Sequence, residues 1–254
     1  MKICCFRATK LKTIVGVVAA IVLACCLAFV QETKFITTGY AARKVPVYYV
    51  DTAEKKIAIT FDAAWGADKT KQIVDILKEK NIKATFFLVG FWVKDYPEMV
   101  KVIDDAGMEI GTHSNTHPKM SGLSEAQIRE ELETSISLIK KITKKDVKVF
   151  RPPFGDYNDR LISVCEQMGI QAIQWDVDSL DWKGLSAGEI LNRVGKGVRN
   201  GSIILCHNNS DHIVDALPTL IDTLVERGFV FTTVGDLLIK GPCVVDNNGM
   251  QKKI

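Results

Sequence analysis

The sequence predicts an α/β domain with a parallel sheet, carried behind a single N-terminal transmembrane helix. Three observations lead there. Seven short apolar runs recur along the body, helical spacing fills most of the intervals between them, and one uncharged stretch stands near the start. Parallel neighbours need long crossovers, usually a helix, and strands buried on both faces are apolar almost throughout. A closed barrel and a doubly wound open sheet satisfy this alternation equally.

The strand-like runs are Ile57–Phe61, Ala84–Val89, Met108–Gly111, Val147–Phe150, Gln171–Val177, Ser202–Leu205 and Phe229–Thr232. Between them, Thr70–Lys80 carries Ile73, Ile76 and Leu77 on one helical face. Ser124–Thr143 opens with Ser124 and Gln127, the signature of a capping box, and turns Ile128, Leu132, Ile136 and Ile139 inward. Asp215–Arg227 ends at Gly228, a helix stop, and Asp68 stands where it can cap the helix that starts near Thr70.

The chain has 254 residues, 47% hydrophobic and 25% charged, a balance that suits a globular domain and argues against disorder. Of its 33 basic residues, Lys2, Arg7, Lys10 and Lys12 precede the first acidic one; the other 29 face 30 acidic residues. The body is therefore nearly neutral, without the basic stripe that nucleic-acid binding requires. The four cations lead into Ile14–Val30, 17 uncharged residues, the lower limit for a helix that spans a bilayer. A basic flank stays cytoplasmic and sends the downstream chain across the membrane. The expected layout is a cytoplasmic basic tail over 1–12, a transmembrane signal-anchor over 13–31, a stalk over 32–54, an extracytoplasmic globular domain over 55–240 and a polar tail over 241–254. Cleavage after the anchor would leave the same domain secreted, but no convincing cleavage site stands beyond the run. The residues before Ala24-Cys25 fit a lipoprotein signal poorly. Cys165, Cys206 and Cys243 are odd in number and lack C-x-x-C spacing, so they read as small apolar packing groups.

The polar residues at the strand ends carry the chemistry. Asp62 follows the first strand, in Thr60-Phe61-Asp62. His113 and His117 follow the third, and Arg151 follows the fourth in Arg151-Pro152-Pro153-Phe154-Gly155. Asp178 and Asp181 follow the fifth, before Trp182, and His207 follows the sixth in Leu205-Cys206-His207. The carboxyl ends of parallel strands open on one face, where active sites sit. Each residue has a bland reading as well: Asp62 in a turn, Arg151 in a surface ion pair, Asp178 and Asp181 capping a helix, His207 as an interior histidine. A lone His-x-x-x-His binds metal about one time in three by the false-positive risk of such motifs. The bland readings do not explain all five strand ends together.

These motifs, in this order, resemble the polysaccharide deacetylases of the NodB-homology group, carbohydrate esterase family 4, over residues 56–240. The Trp65-Gly66 extension is similar to the sporulation-type branch. The resemblance implies a distorted (β/α)7 barrel that removes N-acetyl groups from amino sugars of a cell-wall polysaccharide, with peptidoglycan the expected substrate. It implies Asp62 as general base oriented by Arg151, the backbone N–H of Phe154 as oxyanion donor, and His207 as general acid set by Asp181. It also implies Trp182 and Leu205 around the acetyl methyl, and His113 and His117 as ligands of a divalent metal, zinc, cobalt or manganese. The family's first motif usually reads Thr-Phe-Asp-Asp-Gly, its second Asp a third ligand; here that position is Ala63. Three outcomes are open. Asp62 ligates instead, or water fills the position, or the chain is a membrane-tethered module that binds glycan without hydrolysing it. A different metal-dependent C–N hydrolase on the same barrel is the remaining rival.

Overall fold

The structure is a computed structural model that describes residues 13–25 and 43–254, which belong to two units divided between Ala42 and Arg43. In the first, residues 13–25 form helix α1, about 20 Å long at 1.5 Å per residue. Among the described residues no helix is long and apolar enough to cross a membrane. The rest of the expected anchor, 26–31, lies outside the described residues, as do the basic tail 1–12 and the stalk to residue 42.

The second unit is a curled parallel sheet covered by helices. Its longest strand, β2 (Lys56–Ala63), pairs in parallel with β3 (Thr85–Leu88) on one side and β8 (Ile203–His207) on the other. The full order is β6 (Gln171–Ala172), β5 (Val149–Phe150), β4 (Glu109–Thr112), β3, β2, β8 and β7 (Val177–Asp178), with β9 (Val230–Phe231) beside the start of β2. The helices are α2 (Thr70–Glu79), α3 (Gly90–Asp95), α4 (Pro97–Asp105), α5 (Glu125–Thr143), α6 (Asp159–Gln167), α7 (Ala187–Gly197), α8 (Ile213–Glu226) and α9 (Val234–Leu237).

Alternation along β2 sets the layers, because successive side chains of a strand point to opposite faces. Ile57, Ile59, Phe61 and Ala63 join the large apolar cluster that includes Ile73 and Leu77 of α2 and Leu217 and Leu220 of α8. Ala58 faces the other way, into a smaller cluster with Phe87, Val149, Ile173 and Ile203 inside the curl. Thr60 and Asp62 continue that inner face towards the strand's carboxyl end. At the opposite end α9 closes the curl: Val234 N–H donates to Thr85 Oγ1 at 2.8 Å and Gly235 N–H to the Glu109 carboxylate at 2.9 Å.

Four expectations need correction. The barrel is a half-barrel, because β6 and β7 form the two ends of the sheet and do not pair with each other. The single strand expected over Gln171–Val177 is broken between them. Val47 enters the seam instead, donating its N–H to the Ala172 carbonyl at 3.0 Å and accepting from Gln174 N–H at 2.7 Å. The tail over 241–254 is a hairpin of β10 (Cys243–Val245) and β11 (Met250–Lys253), with β11 parallel to β1 (Tyr49–Val50), inside what was expected to be stalk. Its polar turn builds it: Asp246 Oδ1 accepts from Asn248 and Met250 N–H, and Gly249 turns through φ +80°. Asp68 does not cap α2, whose N-cap is Lys69 without a side-chain bond. Ser124 and Gln127 do form their reciprocal capping box.

Candidate active site

The strand ends converge on a cavity of about 700 Å3. Asp62, His113, His117, Phe154, Asp181, Trp182, Leu205 and His207 all line it, and Arg151 lies directly beneath, wholly buried. Parallel pairing fixes the central juxtaposition, since Asp62 and His207 are register partners on adjacent strands.

Arg151 is locked from several directions. Nη1 donates to Thr60 Oγ1 and Asp62 Oδ1, both at 2.7 Å, and Nη2 to the Gln174 carbonyl at 3.0 Å. Its guanidinium lies 4.2 Å above the Phe87 ring centroid, so the cation is matched by both charge and π density. Burial alone would push the Asp62 carboxyl up; Arg151, with help from His113 and His207, outweighs it and holds the pKa below the ordinary aspartate value. One oxygen of Asp62 serves Arg151, and the other faces His113 Nε2 at 3.5 Å.

His207 is set by Asp181, a buried carboxylate whose Oδ1 meets ring Nδ1 at 2.7 Å. Oδ2 of the same group accepts from the His207 N–H and the Ser210 hydroxyl, both at 2.8 Å. Burial opposes charge on this imidazole, but the bond to Asp181 and its charge prevail, and the pKa is raised. Ser210 was not foreseen from the sequence.

The two imidazoles on the β4 side are poised differently. His113 Nδ1 meets the Arg151 carbonyl at 2.7 Å, which turns Nε2 towards the cavity. His117 is pushed down to about 4 by burial and by His113, so it is a neutral donor at physiological pH. The loop between them is gripped by Glu131 of α5, which accepts from the Asn115 and Thr116 N–H groups at 2.8 Å and from the Thr116 hydroxyl at 2.6 Å. Glu131 escapes sequence reading because nothing local marks a contact made across a loop and a helix turn.

Both imidazoles suit a transition metal, but a catalytic zinc usually has three protein ligands. Among the described residues no group of three His, Cys, Asp or Glu could hold a metal ion. Ala63, fully buried within the outer apolar cluster, supplies no donor atom. The donor set present does not fit a three-ligand site.

Comparison with known proteins is consistent across sequence and structure. A family model described as polysaccharide deacetylase matches residues 49–173. A peptidoglycan-N-acetylglucosamine deacetylase of Bacillus cereus is 36% identical over 209 residues, covering 79% of this chain and 94% of that protein. A peptidoglycan-N-acetylmuramic acid deacetylase of Bacillus subtilis is 32% identical, covering 76% and 75%. Some relatives are longer; the chain spans 60% of an uncharacterized Bacillus subtilis protein 31% identical to it. A solved carbohydrate esterase family 4 pseudoenzyme from Bacillus anthracis superposes with a TM-score of 0.74 at 36% identity, over 76% of this chain and 68% of that one. A mutant of that pseudoenzyme, described as having restored enzymatic activity, superposes with the same TM-score.

Proposed function

The chain belongs to the polysaccharide deacetylase family, and from that premise we propose that it hydrolyses the N-acetyl amide of amino sugars in peptidoglycan. As a polysaccharide N-deacetylase it has to activate a water, stabilise an oxyanion and protonate a leaving amine. Asp62, ionised and held by Arg151, takes a proton from water as the oxygen bonds to the amide carbon. The N–H of Phe154, on the tight turn Pro153–Gly155 at the cavity, is assigned to the developing oxyanion. His207, kept protonated by Asp181, gives its proton to nitrogen as the C–N bond breaks, leaving acetate and a free amine. Trp182 and Leu205 wall the space for the methyl group. The observation that carries this reading is the register of Asp62 with His207 on adjacent strands, each held by its own charged partner, Arg151 and Asp181.

Enzymes of this family are generally metal-dependent. In this chain His113 and His117 are the protein donors assigned to a divalent ion, with zinc proposed and cobalt or manganese as alternatives; neither proton transfer runs through it. The test is acetate release from peptidoglycan fragments carrying N-acetylglucosamine or N-acetylmuramic acid, metal-free and then with each ion. Ala63 and the likeness to a pseudoenzyme favour a second reading, a glycan-binding relative without turnover. Binding of the same fragments with no acetate released under any metal would select it.

Two further assignments extend the proposal. The run 13–31 is taken as a membrane anchor that leaves the globular domain outside the cytoplasm. The protein should then fractionate with membranes, and a mature N-terminus beyond residue 30 would reject the anchor while leaving export intact. The Trp65-Gly66 extension supports a sporulation setting, which makes spore peptidoglycan the first substrate to assay.

A further inference from the structure

Trp65 stands at the cavity mouth with 65% of its surface exposed, three residues beyond Asp62. Its ring centroid lies 4.9 Å from that of His117 and 6.2 Å from that of Phe91. The backbone that presents it is pinned. The Gly66 carbonyl accepts from Trp92 Nε1 at 2.7 Å and from Asn208 Nδ2 at 2.9 Å, and both of those side chains are buried. Gly66 has φ +66°, which strains any other residue, and a Cβ there would fall 2.3 Å from Asn209 Nδ2, so a substitution also forces that side chain to move. Trp65, Phe154 and Trp182, each more than half exposed, stand around the same cavity, and large apolar side chains grouped at a cleft mark a binding surface.

We infer that Trp65 is a stacking platform for a second sugar ring of the glycan, beside the ring whose amide is cut; the inference rests on the deacetylase reading. A pyranose presents a face of C–H groups that suits the electron-rich face of an indole, and hydroxyl groups around its rim. Asn209 also lines the cavity, its amide set against Gly66 at the foot of the platform. The acetyl end of the reacting sugar is assigned to Trp182 and Leu205, on the β7–β8 side of Asp62. Trp65 and His117 lie on the β4 side, where the chain of sugars continues. Because the platform is fixed before binding, little ordering entropy is lost when the ring settles.

The test compares affinities for N-acetylglucosamine and for tetra-N-acetylchitotetraose by calorimetry, in the full chain. The parent should prefer the tetramer. Trp65→Ala should lose about tenfold of that preference, a typical worth for one aromatic contact, and Trp65→Phe should keep most of it. Gly66→Ala should reproduce the loss with Trp65 still present, since displacing the loop misplaces the ring. An unchanged preference in Trp65→Ala, with the fold verified by circular dichroism, overturns the inference, as does a parent that does not prefer the tetramer. Binding is read here without turnover, so failure of the deacetylase reading would show separately, as absence of acetate release.

Discussion

Asp181 grips His207 twice, Oδ1 at the ring Nδ1 and Oδ2 at the residue's own backbone N–H. The geometry fixes the ring and raises its pKa against the opposing effect of burial. An acid with a raised pKa is protonated below it and fails as pH climbs through it. Asp181→Asn keeps the shape but removes the charge that most opposes burial, so the pKa falls. The alkaline limb of the acetate-release rate should therefore move to lower pH. A limb that stays in place, in a variant that still turns over, would remove His207 from the role of acid.

The Asp62–Arg151 pair makes a stability prediction. Arg151→Met leaves a buried carboxylate without its partner, a change that costs about 3–5 kcal/mol in comparable buried pairs. Asp62 has a folded pKa below its unfolded one, so its contribution is present above the unfolded pKa and is lost as pH falls through the folded one. The deficit of Arg151→Met, read by denaturant unfolding, should be full at pH 7 and shrink as Asp62 takes up a proton in acid. A deficit independent of pH would mean that lost packing on Phe87, rather than the stranded charge, accounts for it.

Ala63 belongs to the outward set of β2, among apolar side chains, yet it is the last residue of the strand and its neighbour Ala64 already lines the cavity. Ala63→Asp should lower the melting temperature of the metal-free protein, because a buried unpaired polar group costs about 1–3 kcal/mol. Added zinc should restore the loss and bind more tightly than in the parent, as a third donor joins His113 and His117. If zinc leaves the melting temperature of the variant low, the side chain at 63 stays in the outer layer and cannot complete the site.

The strand ends were legible in the sequence because their chemistry is local. Asp62, His113, Arg151 and His207 each stand within two residues of the end of an apolar run, and the run fixes where the residue must emerge. The helix over Ser124–Thr143 was legible for the same reason, its cap and its stripe lying within one window. What was hidden depends on distant partners. Nothing in Gln171–Val177 announces that Val47 will enter and split it. β11 is nearly all polar, and it is a strand because its backbone pairs on both sides while Gln251 alone turns inward to hold the Ile239 N–H. The platform residue Trp65 was visible as part of an extension, but its support from Trp92 and Asn208 comes from two other segments.

Glu131 governs the loop that presents His117. The chain between the two imidazoles runs through left-handed backbone at Ser114, φ +71°, and at His117, φ +60°. Such conformations cost about 1–3 kcal/mol each and persist only where the surroundings enforce them. One Glu131 carboxylate satisfies two N–H groups and a hydroxyl in that loop, while Ser114 Oγ accepts from the His117 N–H at 3.0 Å. Without the carboxylate the loop should relax and carry His117 out of line. A displacement of about 1 Å can lower a rate by about a hundredfold. Glu131→Ala should therefore reduce kcat/KM for acetate release by about tenfold or more. Glu131→Gln, which keeps an amide oxygen as acceptor, should lose less. Metal affinity offers a second readout, since zinc binding should weaken in Glu131→Ala in parallel with activity. If both stay at the parent level, the Ser114–His117 bond is sufficient to hold the loop, and Glu131 is only a surface anchor for α5.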